Sequence, residues 1–231
     1  MVSAIIVAAG RGTRLAGPTP KQYLPLAGKP VLAHTLAVFA GCGHVDEIIL
    51  VVPAGDLDYC RDNILPLVPA DCPLRLAAGG EHRQDSVYNG LRAAAGQAGD
   101  QVLIHDGVRP LVTADLIGRC LDGLAAADGC VAAVPASDTL KSADAADYII
   151  ETVDRSAIWL AQTPQAFAHA TIFHAHQEAR KGGRQATDDA ALVERTGGRV
   201  ALVRGAAANI KITTPGDLRL AEALLALAAS S

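Results

Sequence analysis

The sequence predicts an α/β fold, a mostly parallel sheet flanked by helices, with a β-hairpin arm protruding from it. Three observations carry this reading. Short apolar runs of strand length alternate with longer helical stretches through residue 134, the pattern of parallel strands joined by crossover helices. The first run empties into a glycine-rich turn, the usual ligand-bearing edge of such a sheet. Segment 137–154 then breaks the alternation with a polar stretch holding two short β-like runs.

Taken in order, residues 3–8 are an apolar run ending at Gly10 and read as a buried parallel strand. A loop rich in Gly, Pro and cations extends to about Lys29. Pro30 opens a helix over 30–40, at a first-turn position where its missing N–H costs nothing. A strand over 46–52, a helix over 57–65 and a short strand over 74–77 follow. Gly79 and Gly80 turn the chain into a helix over 84–95. The strand 101–105 ends at Asp106, Thr113 caps a helix to about residue 126, and 130–134 is a further strand. Within the arm the β-like runs lie around 139–141 and 148–153. Helices are expected over 169–181 and 188–195, and strands over 199–203 and 209–213. Thr214, Pro215 and Asp217 supply an N-cap, a proline at N1 and an acid at N3 for the last helix. The sum is a Rossmann-like sheet in one domain spanning 1–231.

Composition narrows the function. Of 231 residues half are apolar and 19% are charged, enough for a sizeable core. The mean hydropathy of +0.25 is raised by alanine, and no run of 18 uncharged apolar residues appears, so no membrane helix is expected. Arg11 and Arg14 follow directly on the first apolar run, which argues against a secretory leader and for a cytoplasmic protein. Five cysteines with no C-x-x-C pair exclude a disulfide framework and a zinc ribbon. His174 and His176, two apart on a helix, point to different faces and read as surface or packing residues.

Formal net charge is −4, which argues against a nucleic-acid partner. The average hides an asymmetry. Residues 1–45 hold Arg11, Arg14, Lys21 and Lys29 and no acid, leaving −8 on the remaining 186 residues. Such an opening segment suits an anion, although clustering on a solvated face would look the same.

The first strand runs into Ala8-Ala9-Gly10, then Arg11, Gly12, Thr13 and Arg14. Small residues here let backbone N–H groups approach phosphate oxygens. A dinucleotide fingerprint fails because Leu15 stands at its third glycine, and a P-loop fails because Pro30 follows Gly28-Lys29. What remains is a cationic glycine-rich turn. It suits attack of one phosphate on the α-phosphate of a nucleoside triphosphate, where fixed cations and Mg²⁺ offset the crowded negative charge. Arg14 and Lys21 are the candidate donors. Asp106, at the end of a buried strand, is either a hard oxygen ligand for Mg²⁺ or a loop-capping aspartate ahead of Gly107.

Eight motifs in order then carry a resemblance. They are Ala8 to Arg14, Pro20-Lys-Gln-Tyr23, Gly79 to Ser86, His105 to Pro110, Val153-Asp-Arg155, Gln162-Thr-Pro-Gln165, Thr187-Asp-Asp189 and Asn209 to Thr213. Together the chain resembles the 2-C-methyl-D-erythritol 4-phosphate cytidylyltransferase family of the non-mevalonate isoprenoid pathway, from residue 3 to about 225. The resemblance implies that Arg14 and Lys21 stabilise the transition state at the α-phosphate. It implies that Ala8, Ala9, Gly10, Gly80, Arg83 and Ser86 line the CTP pocket and that Asp106 holds Mg²⁺. Arg109, Thr139, Arg155, Thr163, Thr187 and Lys211 would then form the methylerythritol phosphate site together with Asp106, with Arg155 and Lys211 orienting the attacking phosphate. In the family the arm, here 137–154, interlocks with a second subunit, so a homodimer is implied, with Thr139 and Arg155 acting across the interface. Relatives often carry an acid just before the Asn-Ile-Lys run, where this chain has Ala208. His105 is assigned to packing, since a phosphate nucleophile needs no base.

Three other functions stay in view. The same chemistry on another polyol phosphate, such as ribitol 5-phosphate, would leave the nucleotide half unchanged. A nucleotide-binding regulatory module would break the set Arg14, Lys21 and Asp106, which is intact. A dinucleotide-dependent oxidoreductase lacks both its third glycine and the acid expected after the second strand, where Val52-Pro53-Ala54 stand.

Overall fold

The computed structural model describes residues 1–10, 19–94, 96 and 99–229. Its elements are β1 Val2–Val7, β2 Pro25–Leu26, β3 Lys29–Pro30, α1 Val31–Gly41, β4 Glu47–Val52, α2 Leu57–Asn63, β5 Leu74–Ala78, α3 Arg83–Ala93 and β6 Gln101–Asp106. There follow α4 Ala114–Asp122, β7 Gly129–Pro135, β8 Leu140–Ala143, β9 Ile149–Val153, β10 Trp159–Ala168, α5 His169–Lys181, α6 Ala190–Arg195, β11 Val200–Arg204 and α7 Pro215–Ala229. The main sheet has seven strands in the order β11-β7-β10-β6-β1-β4-β5. All its pairings are parallel except the two made by β10.

Helices cover both faces, which is why β4 (Glu-Ile-Ile-Leu-Val-Val) is buried along its whole length. Period-2 alternation sorts the side chains. Ala4, Ile6, Ile48 and Leu50 face the layer of Leu32, Leu36, Phe39 and Ile117 from α1 and α4. Ile5, Ile49 and Val51 face Val87, Leu91, Ile172 and Val193 from α3, α5 and α6. Each fully buried Ile or Leu contributes about 1.5–3 kcal/mol relative to exposure. Gly90 lets α3 lie close on the sheet, since a Cβ there would stand 2.5 Å from Ile5 Cγ2.

β1 passes to β4 on one side and has β6 on the other. The strand order therefore reverses at β1, and a crevice opens beyond the carboxyl ends of β1 and β6. β8 and β9 form a separate antiparallel pair, Leu140 opposite Val153, on which Tyr148, Ile149 and Ile150 are largely exposed.

The structure corrects the sequence reading in three places. The sequence predicts no strand between the arm and residue 169, yet β10 is the longest described strand and sits in mid-sheet. Pro164 and the polar Gln162 and Thr163 disguise it. The sheet admits them because register with β7 shifts between Ala161 and Gln165. Residues 209–213 are not a strand. The segment turns at Asn209, whose N–H donates to Ala206 O at 3.0 Å, and meets the β6 loop through Ile212 N to Val108 O at 2.9 Å. Pro30 ends β3 and stands just before the first turn of α1 rather than inside it, with ψ 140°. The last helix begins as expected: Asp217 N donates to Thr214 Oγ1 at 3.2 Å while Asp217 Oδ2 accepts from Thr214 N at 2.7 Å.

Candidate functional site

The crevice at the strand-order reversal is a cleft of about 640 Å³. Its floor is the backbone Ala8-Ala9-Gly10 leaving β1, where Ala8 N donates to Val51 O at 2.8 Å. One wall is the turn Gly79-Gly80 between β5 and α3. Gly79 N donates to Val52 O at 2.7 Å, and a Cβ at Gly79 would stand 2.4 Å from Ala9 Cβ, so only glycine permits this approach. Gly80 N donates to the buried Ser86 Oγ at 3.1 Å, and that hydroxyl donates to His82 O at 3.1 Å.

Asp106 closes β6 at the back of the cleft and is 7% exposed. Three cations surround it: Lys211 Nζ at 2.9 Å, Arg83 Nε at 3.4 Å and Arg109 Nε at 3.5 Å. Burial pushes its pKa up, but the charges of Arg83, Lys211 and Arg109 outweigh this and hold the carboxyl well below the usual carboxylate range. Behind it, Asp106 N donates to the buried Thr163 Oγ1 at 3.1 Å, and that hydroxyl meets His105 Nδ1 at 3.0 Å. His105 Nε2 lies 3.2 Å from Arg109 O, so Nε2 carries the proton and Nδ1 accepts from Thr163. Burial lowers the His105 pKa to about 4. The ring is a neutral strut beneath the site, as the packing assignment expected.

Lys21 reaches the cleft from a 3₁₀ turn over Lys21–Tyr23. Tyr23 fastens that turn to α2, with its OH donating to Asp56 Oδ2 at 2.9 Å and lying 3.3 Å from Cys60 Sγ. Lys211 reaches it from the extended segment before α7, whose path is fixed where Arg109 Nη1 donates to Asn209 O at 2.8 Å.

The cleft thus gathers Ala8, Ala9, Gly10, Lys21, Gly80, Arg83, Ser86, Asp106 and Lys211. Arg109 and Thr163 stand directly behind Asp106. Thr139 and Arg155 are exposed on the arm and outside the cleft, where an Arg155 guanidinium N–H donates to Ser137 O at the arm's base. Thr187 is exposed, two residues ahead of the buried Asp189. Arg14 lies outside the described residues. Two residues at or behind the cleft carry no sequence assignment. Gln22 is 1% exposed and its Nε2 has no hydrogen-bond partner among the described residues. Asp189 accepts from Arg83 Nη1 at 2.7 Å. Both stand inside motifs that carry the family resemblance, Gln22 next to Lys21 and Asp189 two residues from Thr187.

Residues 2–227 match the 2-C-methyl-D-erythritol 4-phosphate cytidylyltransferase family. The chain is 47% identical over 225 residues to the protein of that name from Geotalea uraniireducens, covering 97% of this chain and 96% of the relative. It is 48% identical to the one from Cereibacter sphaeroides, covering 98% of each. The chain belongs to the 2-C-methyl-D-erythritol 4-phosphate cytidylyltransferase family. Solved structures agree with this. The 4-diphosphocytidyl-2C-methyl-D-erythritol synthase of Anaerococcus prevotii superposes with a TM-score of 0.84 at 34% identity, covering 97% of both chains. The cytidylyltransferase of Thermus thermophilus gives 0.78 at 35% identity, covering 96% of this chain and 97% of that one. No described helix of this family member is long and apolar enough to cross a membrane.

For a cytidylyltransferase the question of a metal turns on the donor set. Among the described residues no three His, Cys, Asp or Glu side chains gather as ligands. Asp106 offers a single hard carboxylate. Mg²⁺ commonly takes one or two carboxylates and fills its shell with phosphate oxygens and water. The residues therefore fit a cation that arrives with a polyphosphate.

Proposed function

We propose that the cleft over β1 and β6 is where this chain carries out the reaction of its family, transfer of CMP from CTP to 2-C-methyl-D-erythritol 4-phosphate. The products are 4-diphosphocytidyl-2-C-methyl-D-erythritol and pyrophosphate. The observation that carries the reading is the ring of Lys211, Arg83 and Arg109 around Asp106 at the strand-order reversal. An oxygen of the polyol phosphate attacks the α-phosphorus of CTP. That bond forms as the bond from the α-phosphorus to the bridging oxygen breaks, and pyrophosphate leaves with the electron pair. The nucleophile is already ionised, and His105, buried and neutral, is not asked to act as a base.

The chain's own work is to bring two polyanions together and to match the charge that builds at the α-phosphate. Ala8, Ala9, Gly10, Gly80, Arg83 and Ser86 seat CTP, the glycines by admitting it close to backbone. Arg14 and Lys21 have the role of stabilising the charge that builds at the α-phosphate. Lys211 and Arg155 align the attacking phosphate, with Asp106, Arg109, Thr139, Thr163 and Thr187 shaping the polyol side. Asp106 would hold Mg²⁺, which would offset negative charge on the triphosphate. A homodimer joined through the arm accounts for Thr139 and Arg155, which stand off their own cleft and would serve the partner's. Exposed Tyr148, Ile149 and Ile150 suit such an apolar contact. The cytoplasm, where CTP and the phosphorylated polyol meet, is the matching location.

The test is pyrophosphate release by the purified chain with CTP and Mg²⁺. Methylerythritol phosphate should support turnover and ribitol 5-phosphate should not. The reverse would keep the chemistry and overturn the acceptor. Sedimentation of an Ile149→Ser/Ile150→Ser variant should show a monomer, and an unchanged dimer would overturn the arm's role.

A further inference from the structure

Arg83 is held by two carboxylates that differ in kind. Its Nε contacts Asp106 at 3.4 Å, a carboxylate already shared with Lys211 and Arg109. Its Nη1 donates to Asp189 Oδ2 at 2.7 Å, and Asp189 is 1% exposed and outside the cleft lining. Asp189 is fixed from three sides. Its Oδ1 accepts from His176 Nε2 at 3.1 Å, and its N–H donates to Gln165 Oε1 at 3.2 Å. Gln165 is in turn tied to Asp188 through Nε2 to Oδ2 at 2.8 Å. His176 is fully buried and its Nδ1 has no hydrogen-bond partner among the described residues. A proton on Nδ1 would be buried unpaired, so the ring keeps its donor on Nε2, aimed at Asp189.

We propose that Asp189, locked by His176 and Gln165, is a positioning residue that holds the Arg83 guanidinium for the nucleotide. This rests on the reading of Arg83 as part of the CTP site. A loaded cleft draws Asp106 toward new positive partners; Arg109, 3.5 Å away, stays pinned by Asn209 O, and the 3.4 Å contact from Arg83 is the one that gives way. The contact to Asp189 stays, because that carboxylate is buried and outside the cleft lining. One guanidinium N–H is thereby tied down behind the cleft, and the rest of the planar fork is left facing the ligand in one orientation. Without Asp189 the guanidinium would swing to Asp106 and compete with the incoming cation.

The experiment is a double-mutant cycle read in transfer kinetics with CTP and Mg²⁺. Arg83→Gln should lower kcat/KM for CTP by roughly 10- to 100-fold, the loss of a charge-assisted contact. Asp189→Asn should lower it by about tenfold in the native background and leave it nearly unchanged in the Arg83→Gln background. KM for methylerythritol phosphate should stay within about twofold in both, a split that a merely structural ion pair would not produce. Equal losses from Asp189→Asn in both backgrounds would overturn the positioning role while leaving Arg83 at the nucleotide. Unchanged CTP kinetics in Arg83→Gln would overturn both. Should Asp189→Asn fail to fold, His176→Leu removes only the donor to Oδ1. It should give a smaller loss in the same direction, absent in Arg83→Gln, and an equal loss there would again refute the role.

Discussion

Gly79→Ala is the sharpest test of how the cleft is built. The new Cβ would lie 2.4 Å from Ala9 Cβ, 3.0 Å from Ser86 Oγ and 3.3 Å from Val52 O. Carbon atoms rest at about 3.5–4.0 Å, so one of the two backbones must retreat by more than an ångström. Ala9 has no rotamer to yield, and Gly79 is tied to Val52 O at 2.7 Å. Overpacking of this kind costs about 1–3 kcal/mol. The strain has two outlets. If the turn holds, the folded state loses that energy, and Tm drops by about 2–4 °C per kcal/mol for a chain of this size. If the Ala9 backbone or Ser86 gives way instead, Tm recovers but the nucleotide meets a deformed floor, and CTP binding weakens about tenfold per 1.4 kcal/mol. Thermal denaturation and calorimetric titration with CTP and Mg²⁺ together should recover the whole amount. Gly55→Ala is the control: a Cβ there meets nothing within 4 Å, and its effect should stay within about 0.5 kcal/mol. A Gly79→Ala protein matching the native one in both Tm and CTP affinity would refute the close-approach argument.

Lys211→Met, which keeps the aliphatic stem but removes the charge 2.9 Å from Asp106, should lower kcat by about 10²–10³ in a pyrophosphate-release assay with little change in CTP affinity. Asp217→Ala deletes the acceptor for Thr213 N, Thr213 Oγ1 and Thr214 N, at 2.7–2.8 Å. It should cost about 1–2 kcal/mol in denaturant unfolding. Asp189 is buried, which by itself raises its pKa, yet Arg83 and His176 hold it below the ordinary value. Its contribution to stability is therefore full above the unfolded value of about 3.9 and is lost as pH falls below that. An acid titration of Asp189→Asn should show a flatter limb below about pH 4 than the native protein. Asp106→Asn leaves Lys211, Arg83 and Arg109 facing one another. The variant should lose about 1–3 kcal/mol, since Lys211 and Arg83 are partly solvated and Arg83 keeps Asp189, and should be stabilised by added pyrophosphate more than the native protein is, as followed by Tm.

The sheet was legible wherever burial on both faces made a strand an unbroken apolar run, as in β4, and wherever a glycine pair or a capping threonine marked a boundary. It was illegible at β10. There Gln162 and Thr163 are polar because they serve the site rather than the core. Gln162 holds Ala206 O at 2.9 Å and Thr163 holds both Asp106 N and His105. A central strand that spends its inward positions on hydrogen bonds loses the signal by which strands are recognised. The same cause hid Asp189. Its motif was visible, but an aspartate that works through an arginine 106 positions away leaves no local pattern.

One physical requirement joins these features. A site for a triphosphate and a phosphate must hold several cations close together before either ligand arrives. By themselves Arg83, Lys211 and Arg109 would repel one another across a few ångströms of partly dry protein, where charges interact several times more strongly than in water. Asp106 neutralises part of that charge and Asp189 a second part. The two carboxylates differ in placement: Asp106 lines the cleft and can be recruited to new partners, while Asp189 is sealed behind it. In the proposed site, one acid changes partners when the phosphates enter, and the other keeps Arg83 in place as it does. The antiparallel strand β10 supports both acids. It carries Thr163 to the back of Asp106 and Gln165 to the back of Asp189, fixing both acids from outside the cleft lining.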